Sequence, residues 1–144
     1  MSIINMLPLE FLLIDRLQTE LGDLASVFSS AEVSQYVDVT EKCPAVFIQP
    51  GESTVTDHSD GGTFIAERQA WDIIVCVRQV RKTNGLSANY ESAGQLMGAV
   101  HTALSGWRPP AHAPMRYSGR QQYVPQSGWV EFVMQFETVW SPPQ

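Results

Sequence analysis

Leu9, Leu13, Leu17 and Leu21 recur at four-residue steps, while Glu10, Asp15, Arg16 and Glu20 occupy other faces. That spacing predicts an amphipathic helix over about residues 8–21. Pro8 suits its first position, where a missing N–H costs nothing, and Gly22 marks its end. Residues 23–42 are less regular, and Leu24, Val27 and Phe28 either extend the helical face or tuck under a loop. At Pro44 the pattern changes. Residues 45–49 form a short apolar run closed by Pro50-Gly51, which predicts an inner strand and a turn. The polar stretch 52–62 offers no apolar face and is expected to be a hairpin tip or a mobile loop. Within residues 63–80, Trp71, Ile73, Val75 and Val77 share one parity, with Asp72 and Arg78 on the other, as in a long central strand half covered by core.

Residues 81–85, Arg-Lys-Thr-Asn-Gly, break that strand. Leu86, Tyr90, Ala93, Met97, Val100 and Leu104 then advance by alternating steps of three and four, predicting a second helix over about 86–105. Gly106 is its natural terminator, and Pro109-Pro110 forbid continuation. Two strands follow, at 115–124 and 129–140, joined by residues 125–128. In the second, Val130, Phe132, Met134 and Phe136 alternate with Glu131, Gln135 and Glu137, so one face meets the core. The elements describe an α+β fold, a mixed or antiparallel sheet of about four to five strands packed against two helices.

The 144 residues, 44% hydrophobic, suit a single domain spanning 1–144 that needs no disulfide or metal to hold it. Apolar runs fall far short of a membrane span, so no membrane association is expected. Residues 1–5 lack a basic signal region, and Pro8, Glu10 and Asp15 interrupt any hydrophobic segment after them. The expectation is a chain that starts at Met1 and remains in the cytoplasm. Cys43 and Cys76 lie in strand-like apolar contexts and are expected to be buried thiols, since a bridge is unusual in a reducing compartment.

The net charge of −6 is unevenly spread. Residues 1–67 carry eleven acidic and two basic groups, a balance of −9, whereas residues 68–144 carry seven basic and four acidic groups, a balance of +3. An acidic total argues against general nucleic-acid binding, which depends on neutralising phosphates. One acidic and one basic surface suit head-to-tail contact between copies, although scattered solvated charges give the same totals.

Catalytic patterns are scarce. Asp57, His58, Ser59 and Asp60 are consecutive, so they cannot line up as nucleophile, base and orienting group. His101 and His112 have no cysteine or carboxylate at a zinc-ligand spacing, and no Gly-x-x-x-x-Gly-Lys loop is present. Glu131 and Glu137 share a strand face, but no base or metal stands beside them in the pattern. No cofactor is expected. A ligand pocket between the sheet and the second helix would find only His101 and Glu91 there to provide polar anchoring.

The residues left over suit protein contact. Arg78, Arg81 and Lys82 cluster at a strand end, and Arg116 and Arg120 line a later strand. Arginine is enriched at interfaces, though each of these also reads as a solvated cation. Asp57 and Asp60 provide the acidic counterpart. Trp107 and Arg108 follow the second helix, where the indole either locks the helix end onto the sheet or meets a partner.

The order of these features resembles the tail terminators, or tail completion proteins, of long-tailed bacteriophages, lambda-like and Mu-like. The resemblance rests on the leucine-bearing first helix, on Cys43-Pro44-Ala45-Val46-Phe47-Ile48 and on Trp71-Asp72-Ile73-Ile74-Val75. It also rests on Ala103-Leu104-Ser105-Gly106-Trp107-Arg108-Pro109 and on Gly128-Trp129-Val130-Glu131-Phe132 in the closing hairpin. It implies a virion structural protein, not an enzyme: a hexameric ring that caps the tail tube, stops tube polymerisation and docks head-completion (connector) proteins. In contractile tails the sheath is a further partner. Assembly would take place in the host bacterial cytoplasm, and DNA would pass through the lumen without sequence-specific recognition. Under that reading the 52–62 segment and the 81–85 turn are expected to face tube or connector. The alternatives are another neck or head-tail completion protein, or a small hydrolase or ligand-binding domain.

Overall fold

The computed structural model describes residues 5–33, 42–62, 65–78, 85–121, 124–125 and 128–141. Helix α1 (Leu9–Leu21) turns all four of its stripe leucines into the interior. It ends at Gly22, whose φ of +55° lies in the left-handed region that side chains disfavour. A 3-10 turn (Gly22–Leu24) leads to strand β1 (Ser26–Ser29) and the one-turn helix α2 (Ser30–Val33). Strands β2 (Ala45–His58) and β3 (Ile65–Arg78) form a long hairpin, and helix α3 spans Gly85–Leu104. Strands β4 (Arg116–Arg120), β5 (Val124–Pro125) and β6 (Trp129–Trp140) complete the order.

The strands make one sheet in the order β1-β2-β3-β6-β4, and β5 pairs with β6 beside β4. Among the described residues only the β1–β2 pair is parallel. The expected strand at 115–124 is thus an edge element in two pieces, β4 and β5, both on the outer side of β6. A four-residue strand was not expected in 23–42. Its sequence, Ser-Val-Phe-Ser, is too short to show a period, and its pairing is set by β2, about twenty residues away.

Helices α1 and α3 cover one face of the sheet. Leu9, Leu13, Leu17, Ala93, Val100 and Leu104 from the helices meet Val46, Ile48, Trp71, Ile73, Val75, Val130 and Phe136 from the strands, each fully buried. Burying a side chain of leucine or phenylalanine size stabilises by roughly 1.5–3 kcal/mol relative to exposure, so this layer dominates the energetics. The central pair β3–β6 keeps unbroken register from Glu67↔Trp140 to Arg78↔Trp129.

The other face carries a second, smaller cluster of Cys43, Ala45, Phe47 and Cys76, flanked by Phe28, Ile74 and Trp129. Here the two thiols meet, with Sγ atoms 2.9 Å apart. The Cys43 contact and burial together push the Cys76 thiol far above its ordinary range, so almost no Cys76 thiolate forms. Burial of both cysteines agrees with the expectation from sequence.

Candidate functional site

Of the two forms expected for the polar segment 52–62, the structure shows the hairpin end, and most of it is strand. Residues Glu52 to His58 continue β2 and pair with β3 through Ser53↔Gln69, Val55↔Glu67 and His58↔Ile65. Only the tip is a turn, closed by the Gly62 amide donating to the Ser59 carbonyl at 2.9 Å. Every residue of β2 from Gln49 to His58 is exposed, so no apolar alternation marks the strand and only its pairing with β3 reveals it. Beyond the end of β1 the hairpin continues as an arm whose outer edge is β2; β6 still pairs with β3 as far as Glu67, so only Asp57–His58 and Ile65–Ala66 form a two-stranded tip.

Two irregularities shape the arm. Register shifts between Pro50 and Ser53 and between Val55 and Asp57 each place one extra residue on β2. Such bulges bend and twist a strand. At the first, a Cβ on Gly51 would stand 3.1 Å from the Ala70 carbonyl oxygen, so any other residue would require the strands to give by a few tenths of an ångström.

Gln69 anchors the base of the arm. Buried to 2% exposure, its Nε2 donates to the Met6 carbonyl at 3.0 Å and to Glu67 Oε1 at 2.8 Å, and its Oε1 accepts from Trp71 Nε1 at 3.1 Å. One amide thus ties the N-terminal segment, a buried carboxylate and the central indole together. The tie to Met6 brings the N-terminal end of α1 to the arm, and that end carries exposed Met6, Leu7 and Phe11. Val55, also exposed, lies on the same side of the sheet as Glu67 and Gln69. Exposed apolar groups in such a grouping suit contact with another protein. Phe11, 74% exposed, could have been suspected from sequence because it stands off the Leu9–Leu13–Leu17 stripe.

The candidate contact residues occupy three separate places. Asp57 and Asp60 are exposed at the end of the arm, where Asp57 Oδ1 accepts the His58 amide at 2.9 Å. Arg116 and Arg120 lie exposed on β4 at the opposite edge of the sheet; Arg116, 73% exposed, holds Glu137 at 2.8 Å. Arg108 stands near the approach to β4, its Nε donating to the His112 carbonyl at 3.2 Å. Arg78 is exposed at the end of β3 remote from the arm tip. Arg81 and Lys82 lie outside the described residues. Trp107 is half-buried against the main core, with the Arg16 guanidinium 5.4 Å from its ring centroid and the same Arg16 donating to the Ala103 carbonyl. This joins α1 to the end of α3.

Between α3 and the sheet lies a cleft of about 250 Å³ lined by Leu24, Pro44, Val77, Ser92, Gln95 and Leu96. None of these can act as a base or carry a charge, and His101 packs edge-on against Tyr117 at 5.5 Å instead of facing the cleft residues. Among the described residues no group of three or more histidines, cysteines and carboxylates is placed to hold a metal ion. No helix among them is long and apolar enough to cross a membrane.

Asp72 is the unusual charge on the sheet. It sits between Gln49 and Gln135 in adjacent strands, its Oδ1 is buried without a hydrogen-bond partner, and burial raises its pKa above the ordinary 3.8, partly offset by a hydrogen bond with Gln135. A raised carboxyl pKa means that the fold retains the proton more firmly than the unfolded chain. The resulting stability is complete below pH 3.8 and is lost as pH rises through the folded-state value. Asp72→Asn, which never ionises, is therefore expected to melt at a higher temperature than the parent at pH 7 and at the same temperature at pH 3.5. An equal melting temperature at both pH values contradicts this account.

The family model described as "Phage tail terminator protein" matches residues 5–141. The chain belongs to the phage tail terminator family. Comparison with curated proteins returned no match. Among solved structures, a chain from "Virion of native gene transfer agent (GTA) particle" is similar at a TM-score of 0.53 and 16% identity, covering 87% of this chain and 84% of that one. At that identity the likeness speaks for the fold. The family match makes this tail terminator a structural protein of the virion tail and not an enzyme.

Proposed function

We propose that this tail terminator forms a hexameric ring that caps the tail tube, stops the addition of tube subunits and presents the docking surface for head-completion or connector proteins. In a contractile tail the same ring also meets the sheath. Assembly takes place in the host bacterial cytoplasm, and DNA passes through the lumen without sequence-specific contacts. The family match over residues 5–141 carries this reading. The surface supports it: acidic groups project on the arm, arginines line the opposite edge, and exposed Met6, Leu7 and Phe11 gather near the arm base.

Light scattering on the purified chain, over a range of concentration and salt and again after mixing with purified tail tubes, tests the ring. The expected result is a closed species of six copies, free or at tube ends. A strict monomer in every condition, with tube ends bare in micrographs, overturns it.

A further inference from the structure

Resting on the ring reading, we infer that neighbouring copies join edge to edge, the acidic arm of one copy lying along the β4 edge of the next. A cyclic ring needs two different, complementary surfaces on each copy, placed so that each subunit can meet one neighbour on either side. The sheet supplies such a pair. Its order β1-β2-β3-β6-β4 puts β2 near one boundary and β4 at the other.

Both boundaries are open to another strand. β1 pairs with β2 only from Ala45 to Ile48, so the outer side of β2 from Gln49 to His58 has no strand partner among the described residues. The outer side of β4 likewise has none among them. Unpaired strand edges leave backbone N–H and C=O groups to water, and a second strand can satisfy them by extending the sheet.

Charge selects the pairing. The arm exposes Glu52, Asp57 and Asp60 against one exposed cation, Arg68, so its balance is acidic, and the described ion pairs include none of the four. β4 exposes Arg116 and Arg120; only one Arg116 nitrogen is engaged by Glu137. Arm against arm repels, as does β4 edge against β4 edge, whereas arm against β4 edge attracts. That rule gives a head-to-tail chain of contacts that closes into a ring. Pro50, which has no N–H to offer, and the two bulges keep the arm from being a flat edge that stacks without limit. Exposed ion pairs are individually weak and screened by salt, so ring closure is expected to weaken as salt rises.

A charge exchange tests the assignment. One variant carries Glu52→Lys and Asp57→Lys, and a second carries Arg116→Glu and Arg120→Glu; both are checked for native circular dichroism and compared with the parent by light scattering. Each variant alone now opposes like charges and is expected to associate at least tenfold more weakly. Mixed in equal amounts they become complementary at every contact of an alternating six-membered ring, and the parental mass is expected to return. Because Arg116 also holds Glu137, the exchange is repeated with Arg120→Glu against Asp57→Lys alone. If the parent closes into a ring and each folded variant does so equally well by itself, the edge assignment is overturned while the ring stands. Loss in both folded variants without recovery in the mixture also overturns it. A parent that forms no ring, free or on tubes, overturns the ring reading itself.

Discussion

Trp71→Ala is expected to lower the stability of the tail terminator by about 3–5 kcal/mol, the usual cost of emptying a fully buried aromatic site. The indole lies at the centre of the helix-covered layer with no exposed surface, paired across the sheet with Pro50 on one side and Phe136 on the other. Its removal opens a cavity in the layer between the sheet and the helices, and a close-packed interior relaxes only partly into such a space. For a domain whose total stability is about 5–15 kcal/mol, much of the margin disappears. Urea unfolding followed by circular dichroism should show a much lower midpoint with an unchanged slope. A loss below about 1 kcal/mol would place Trp71 outside the core and sink the described packing.

Gln69→Leu is the second large effect, and its origin differs because leucine fills the same space. The substitution strips the Trp71 Nε1–H of its acceptor, Glu67 of its donor and the Met6 carbonyl of its partner. Leaving buried polar groups unpaired costs about 1–3 kcal/mol each, and more for a charged one, so a total of about 3 kcal/mol is expected. Glu67→Gln removes the charge and should soften the Gln69→Leu effect. A double-mutant cycle with a coupling of about 1 kcal/mol or more is the expected reading. Simple additivity of the two substitutions would show that the Glu67–Gln69 contact contributes nothing to stability.

Where side chains alternate against a covered face, the sequence announces the element. β6 runs from Trp129 to Trp140 as expected because Val130, Phe132, Met134 and Phe136 must all face the helices. The leucine stripe of α1 and the Ala93–Val100–Leu104 side of α3 are legible for the same reason. The outer half of β2 is not legible. Both of its faces meet solvent, so Glu52 to His58 read only as a hairpin tip or a loop although backbone pairing with β3 makes them a strand. β1 escapes notice because four residues hold too little pattern and its partner is distant in the chain.

The contact surfaces divide in the same way. Acidic and basic groups could be counted from the sequence, and their assignment to two halves of the chain was visible there. That they flank opposite boundaries of one sheet depends on strand order, which no local pattern encodes. The exposure of Phe11, by contrast, is foreshadowed by its place off the Leu9–Leu13–Leu17 stripe. Gln69 gave no signal at all, since a glutamine inside a strand looks like any solvent-facing polar residue until the fold buries it.

The most direct test of termination is the tail itself. Tails assembled from the same phage components, with and without this chain, are measured for length in electron micrographs. With the chain present, tubes are expected to end at one length and to carry heads. Without it, they should vary widely in length, extend well beyond that value and remain headless. An unchanged length distribution with normal head attachment in its absence would contradict the account.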